Sequence, residues 1–144
     1  MKILVAVDGS PYSRAAARYV ASHAKLLKKT PDVHLIHVHV PLAYSGAAAG
    51  VVGRDAIRSY LQDESEKALA VAARELKKRR MKYRAHWTVG DPAARIAAYA
   101  RKERVDLIVT GSHGHGALAN LALGSVATKI IALSKIPVLV VRKS

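Results

Sequence analysis

The 144-residue chain has no cysteine. Disulfides and thiolate metal sites are excluded, and nothing in the composition argues for secretion. Aromatic side chains are scarce, 5% of residues against an apolar share of 51%. The core must therefore come from Ala, Val, Leu and Ile, the economy of a sheet covered by helices. No apolar run approaches the roughly 20 residues of a membrane span. The opening MKILVAVDGS carries a single Lys and is too short for a signal peptide, so a cytoplasmic location is the expectation. Acidic residues are few as well: 10 Asp and Glu stand against 24 Lys and Arg, a net charge of +14. Such a charge draws anionic partners of any kind, whether nucleotide, nucleic acid or membrane surface, without choosing among them. The length suits one domain over residues 1–144 with a real core.

Short apolar runs alternate with longer helical patterns. The runs at 2–8, 33–40, 82–89, 105–110 and 137–142 read as five strands. Ser10-Pro11 supplies a cap and a first-turn proline for a helix to about Lys29, and Asp91-Pro92 repeats the device for one to about Arg104. The longest helix is predicted from Arg54 to Arg80, with Ile57, Leu61, Ala68, Ala72 and Leu76 as its apolar stripe. Ser125 opens a last helix ending near Ser134. Alternating strands and helices imply right-handed crossovers, hence an α/β fold: a doubly wound, five-stranded parallel sheet with helices on both faces. The expected strand order is 3-2-1-4-5. The small-residue segment from Pro41 to Gly53 leaves a strand's carboxyl end, where it suits either a lid or a passive connector.

The fourth strand runs into Gly111-x2-Gly114-x9-Gly124-Ser125. Glycine lets backbone N–H groups approach a ligand without a Cβ in the way. A helix opening at Ser125 brings unpaired N–H donors and a positive dipole end to the same place, so the connection suits a polyphosphate. If the first and fourth strands are neighbours, a crevice opens between them, with Asp8 facing ribose hydroxyls or an exocyclic amine. Strand-end backbone at Val38 suits the edge of a base.

These residues carry a resemblance. AVDGS at the first strand end, LIHVHV, VGDP, the glycine signature and the closing PVLVVR make the chain similar to the universal stress protein family over essentially its whole length. In that family the glycine signature binds ATP. The resemblance implies Asp8 at ribose or adenine, Val38 at the base, and Gly111, Gly114, Gly124 and Ser125 around ribose and phosphates, with Val7, His113 and Val126 beside them. It also implies a homodimer through the last strand, Pro137 to Arg142, whose apolar edge invites pairing. ATP with a bridging Mg or Mn ion is the expected ligand, and the expected role is a regulatory stress-response module read by a protein partner. No catalytic residue is assigned; slow ATP hydrolysis or phosphate transfer is the enzymatic alternative.

Competing motifs are weaker. Gly114-His-Gly116-Ala-Leu-Ala119 fits a dinucleotide pattern, but no acidic residue follows about 20 positions on. His37 and His39 share a strand face while His34 points the other way, and no third metal ligand is fixed beside the pair. His113 suits either a phosphate contact or a loop hydrogen bond. The run Lys77-Lys78-Arg79-Arg80, with Lys82 and Arg84, is a nucleic-acid candidate that the helix dipole also explains, and few aromatics interleave it. Charge-driven, non-specific binding to nucleic acid or another anionic surface is the third reading.

Overall fold

The computed structural model describes residues 1–41, 53–116, 120 and 122–143. The interior of the candidate lid and residues 117–119 of the dinucleotide-like pattern lie outside the described residues. Along the chain come β1 (Lys2–Ala6), α1 (Pro11–His23), a 3-10 turn (Ala24–Leu26), β2 (Asp32–His39) and α2 (Arg54–Lys77). β3 (Tyr83–Val89), α3 (Pro92–Lys102), β4 (Leu107–Gly111), α4 (Ser125–Leu133) and β5 (Val138–Val141) follow.

The five strands form one parallel sheet in the order β3-β2-β1-β4-β5, as expected. β1 is central: Ile3 pairs with Val33 of β2 on one side and Leu107 of β4 on the other. The two-residue side-chain period of a strand splits its apolar run between two cores. Ile3, Val5 and Val7 pack with Val20 of α1 and Leu69 and Leu76 of α2. Leu4 and Ala6 pack with Ile96 of α3 and Ile130 of α4 on the opposite face. Helices thus cover both faces. Each fully buried Leu or Ile contributes about 1.5–3 kcal/mol relative to exposure.

Helix faces follow the same logic. α1 buries Ser13, Ala16, Ala17, Val20 and Ala21, and α3 buries Ala93, Ile96 and Ala100. The Ser10 hydroxyl caps α1 by accepting from Ser13 N at 3.2 Å, and Asp91 caps α3 through Ala94 N at 2.9 Å. In α2 the buried stripe begins at Ser65, while Ile57 and Leu61 are only half-buried. The buried Glu75 ties α2 to α1, within 3.7 Å of Arg14 and 3.4 Å of Arg18.

Several ends differ from expectation. α1 stops at His23, six residues short of Lys29, and the chain is extended by Leu27. Pro31 disfavours helix at the residue before it, and Asp32 must return beside Met1, whose carbonyl accepts its N–H at 3.0 Å. α2 ends at Lys77 rather than Arg80, and α3 at Lys102 rather than Arg104. Arg80 and Arg104 instead take left-handed conformations, φ 55° and 53°. Met81 N then bonds Leu76 O at 3.1 Å, and Val105 N bonds Ala100 O at 2.9 Å, closing each helix with a Schellman motif. That use of Val105 N delays β4 to Leu107. β1 stops at Ala6 rather than Asp8, although Val7 N still reaches Ile36 O at 2.8 Å.

Candidate functional site

The chain runs from β1 outward to β3 and then returns to β4 on the other side of β1, so the order reverses between β1 and β4. Connections leaving two such strands in opposite directions open a crevice at their carboxyl ends. A cavity of about 270 Å³ lies there. Val7, Asp8, Val38, Gly111, His113, Gly114, Gly124, Ser125 and Val126 all line it, so the fold brings together the nine residues that the family resemblance implies for the nucleotide.

Asp8 follows β1 on a turn made by Gly9, whose φ of +81° few side chains tolerate. One carboxylate oxygen, Oδ1, accepts from Ser10 N at 2.9 Å. The other faces Gly114, where a Cβ would sit 2.6 Å from Oδ2. Beside them His115 Nε2 donates to the Asp8 carbonyl at 2.8 Å, fastening the loop after β4 to the end of β1.

The glycines of the signature differ in what they allow. A Cβ on Gly111 would lie 2.7–2.9 Å from Cβ, C and O of Tyr12, so this glycine lets α1 pack on β4. Gly124 donates its N–H to Ser112 O at 2.7 Å, and a Cβ there would come within 3.1 Å of His113 Cα. Gly124 also precedes α4 with no side chain to cap it. The first-turn amides of Ser125 and Val126 therefore open at the cavity wall, with the positive end of the helix dipole.

Val38 lies one residue short of the end of β2, beyond the last β1–β2 pair at Ala6 and Ile36. With Ile36, Val40 and Ile96 it makes one wall of the cavity apolar. His113 packs its ring against Tyr12 at 5.3 Å and shares a 3.0 Å hydrogen bond, through Nδ1, with the Ser112 hydroxyl. Its loop contacts are thus present while it also lines the cavity.

Sequence reasoning missed Ser13, Val40, Pro92, Ile96 and Thr110, which also line the cavity. The available signal was positional: each sits at a strand's carboxyl end or in the first turns of a helix. Lys129, midway along α4, is 3.9 Å from Asp91 at the surface.

The paired histidines do structural work. His37 and His39 contact edge-to-face at 4.6 Å, while His34 bonds Tyr99 on the other side of the sheet at 2.9 Å. His37 Nδ1 donates to Val7 O at 2.7 Å, and His39 Nε2 donates to Leu61 O at 2.9 Å. Burial pushes the His37 pKa down, only partly offset by its bond to Val7 O. Among the described residues no three His, Cys, Asp or Glu gather as a metal site. No helix among them is long and apolar enough to cross a membrane.

An open parallel sheet with a cavity at its switch point, walled by apolar side chains on one side and by glycine backbone and a helix start on another, defines a doubly wound α/β domain. The chain belongs to the universal stress protein family, whose model matches residues 1–142. It is 32% identical to a universal stress protein of Methanocaldococcus jannaschii, over 99% of this chain and 82% of that one. It is also 32% identical to universal stress protein YxiE of Bacillus subtilis, over 98% of each. A solved M. jannaschii protein superposes with a TM-score of 0.80 at 30% identity, covering 99% of this chain and 96% of that one. The fold is shared with two more distant solved proteins that hold nucleotides. An Arabidopsis thaliana family protein with AMP bound has a TM-score of 0.70 at 18% identity, covering 100% and 92% of the two chains. An Archaeoglobus fulgidus universal stress protein in complex with dAMP has 0.68 at 24%, covering 97% and 96%.

Proposed function

We propose that this chain is a cytoplasmic, ATP-binding regulatory module of the stress response, working as a homodimer whose nucleotide state alters the surface offered to a protein partner. The observation that carries the reading is the convergence of the glycine signature, Asp8 and the uncapped start of α4 on one cavity. The apolar wall of Ile36, Val38, Val40 and Ile96 suits a purine, and Asp8 suits ribose hydroxyls. Gly114, Gly124 and the amides of Ser125 and Val126 suit phosphates. AMP and dAMP in the two solved relatives of the same fold support an adenine nucleotide.

A divalent cation fits a secondary place in this scheme. Asp8 is the one carboxylate among the described lining residues, so Mg or Mn would be held chiefly by the phosphates rather than by a protein cage. The dimer reading rests on β5, an apolar strand at the edge of the sheet.

The test is calorimetric titration of nucleotide-free protein with ATP and magnesium. Binding at micromolar affinity or tighter, near one nucleotide per chain, is expected. In Gly114→Val the new side chain displaces the Asp8 carboxylate and fills the phosphate loop, so affinity falls at least a hundredfold with the thermal midpoint nearly unchanged. Retained affinity in a folded Gly114→Val protein removes the phosphate-loop assignment.

A further inference from the structure

In a parallel sheet flanked by helices, every helix-to-strand connection lies at the strands' amino ends, the end opposite the cavity. This gathers charges that are far apart in sequence. The α1–β2 connection, 24–31, holds three lysines and no acidic residue. The stretch from the end of α2 to β3, 77–82, holds five cations and no acidic residue. The end of α3, 101–104, holds three cations and one acid. The helix dipole accounts for cations on the last turns of α2 and α3. It does not account for Lys28 and Lys29, which lie beyond α1 and its 3-10 turn, nor for what stands beside them.

Leu26 stands there, 79% exposed. Its neighbours Ala24 and Leu27 pack against the core, so the turn is anchored and Leu26 points outward between Lys25 and Lys28. Met1, 54% exposed, is at the same end, one residue before β1 and bonded to Asp32. An exposed apolar side chain flanked by Lys25 and Lys28 gains nothing from a phosphodiester backbone. It suits a bilayer, where the aliphatic chain enters the acyl boundary while lysines meet anionic headgroups. Base stacking finds little here: Tyr83 is half-buried against the core, and Tyr19, exposed near the end of α1, already has its ring stacked on His23 at 4.0 Å.

We infer that the amino end of the sheet, centred on Lys25–Lys29 and the 77–82 run, is a docking face for an anionic lipid surface. Docking there leaves the nucleotide cavity facing away from the bilayer, so the two sites fill independently, and this inference stands without the nucleotide reading.

The experiment is co-sedimentation of the purified full chain with phosphatidylcholine vesicles containing about 30% phosphatidylserine, and with phosphatidylcholine alone. Binding only to the anionic vesicles is expected, weakening as salt rises and unchanged by ATP. Each lysine removed lowers partitioning about fivefold. The Lys25→Gln/Lys28→Gln/Lys29→Gln variant therefore binds about a hundredfold more weakly, and Leu26→Ser about tenfold more weakly. Arg54→Gln/Arg58→Gln/Arg95→Gln removes the same charge at the cavity end and stays within about twofold of the parent. All of these positions are exposed, and circular dichroism confirms folding. Absence of binding to anionic vesicles at low salt overturns the inference. So does an equal loss in both triple variants, or an unaltered Leu26→Ser that binds duplex DNA as tightly as vesicles; that last result makes nucleic acid the partner.

Discussion

Gly111 and Gly114 stand three residues apart in one signature, yet a side chain at each would meet different things. At Gly111 it meets the backbone of Tyr12 at 2.8–2.9 Å, which cannot yield without moving α1. Gly111→Ala is therefore expected to destabilise the fold by about 1–3 kcal/mol, read by urea denaturation. At Gly114 it meets only the far end of Asp8, so the damage falls on the site. The spacing of these glycines was legible in the sequence, because their chemistry is local. Their division of labour was not, because it depends on α1 crossing β4. His37 adds a pH dependence. Its folded-state pKa lies below the ordinary 6.5, so the unfolded chain takes up a proton first as the solution is acidified. The stability His37 confers is complete above about pH 6.5 and is lost as pH falls from there through the lowered folded value. Thermal midpoints at pH 7 and pH 5 should differ, and His37→Asn, whose amide can replace the Nδ1 donor, should narrow the gap. An unchanged gap removes His37 as its source.

At the scale of elements, the two Schellman ends carry arginine where glycine is the unstrained choice. An L-residue in the left-handed region costs about 1–2 kcal/mol, part of which glycine would lose again by loosening the unfolded chain. Arg104→Gly is thus expected to stabilise the protein by about 0.5–1 kcal/mol, seen as a raised urea midpoint. A lowered midpoint would mean that Arg104 makes compensating contacts. These ends show where sequence reading stops. Caps such as Ser10-Pro11 and Asp91-Pro92 announce helix starts through local hydrogen bonds, and both starts were legible. The ends of α1, α2 and α3 answer to where the next strand must begin, which, Pro31 after α1 apart, no nearby residue states. The same holds for the site: Asp8 and the glycine loop were legible, whereas Ile96 and Val40 become part of it only because α3 and β2 converge.

For the whole molecule, the edge position of β5 sets the assembly prediction. The wild-type chain should sediment as a dimer at micromolar concentration. Val140→Lys, placing a charge on the edge strand, should sediment as a folded monomer. A monomeric wild type would end the dimer proposal. The sheet also separates its two ends by the length of its strands, about 3.3 Å per residue, so partners at the two ends need not compete for space.

The strand order carries a consequence for biosynthesis. β1 is made first, yet it ends in the middle of the sheet, and its second neighbour starts only at Leu107. While a ribosome adds the intervening residues, at roughly 5–20 per second, β1 can pair with β2 on one side alone. Its other edge, bearing Ile3, Leu4 and Val5, stays open for several seconds. The nascent chain thus displays one edge of its central strand unpaired throughout that interval, which is when a chaperone would matter most to its yield.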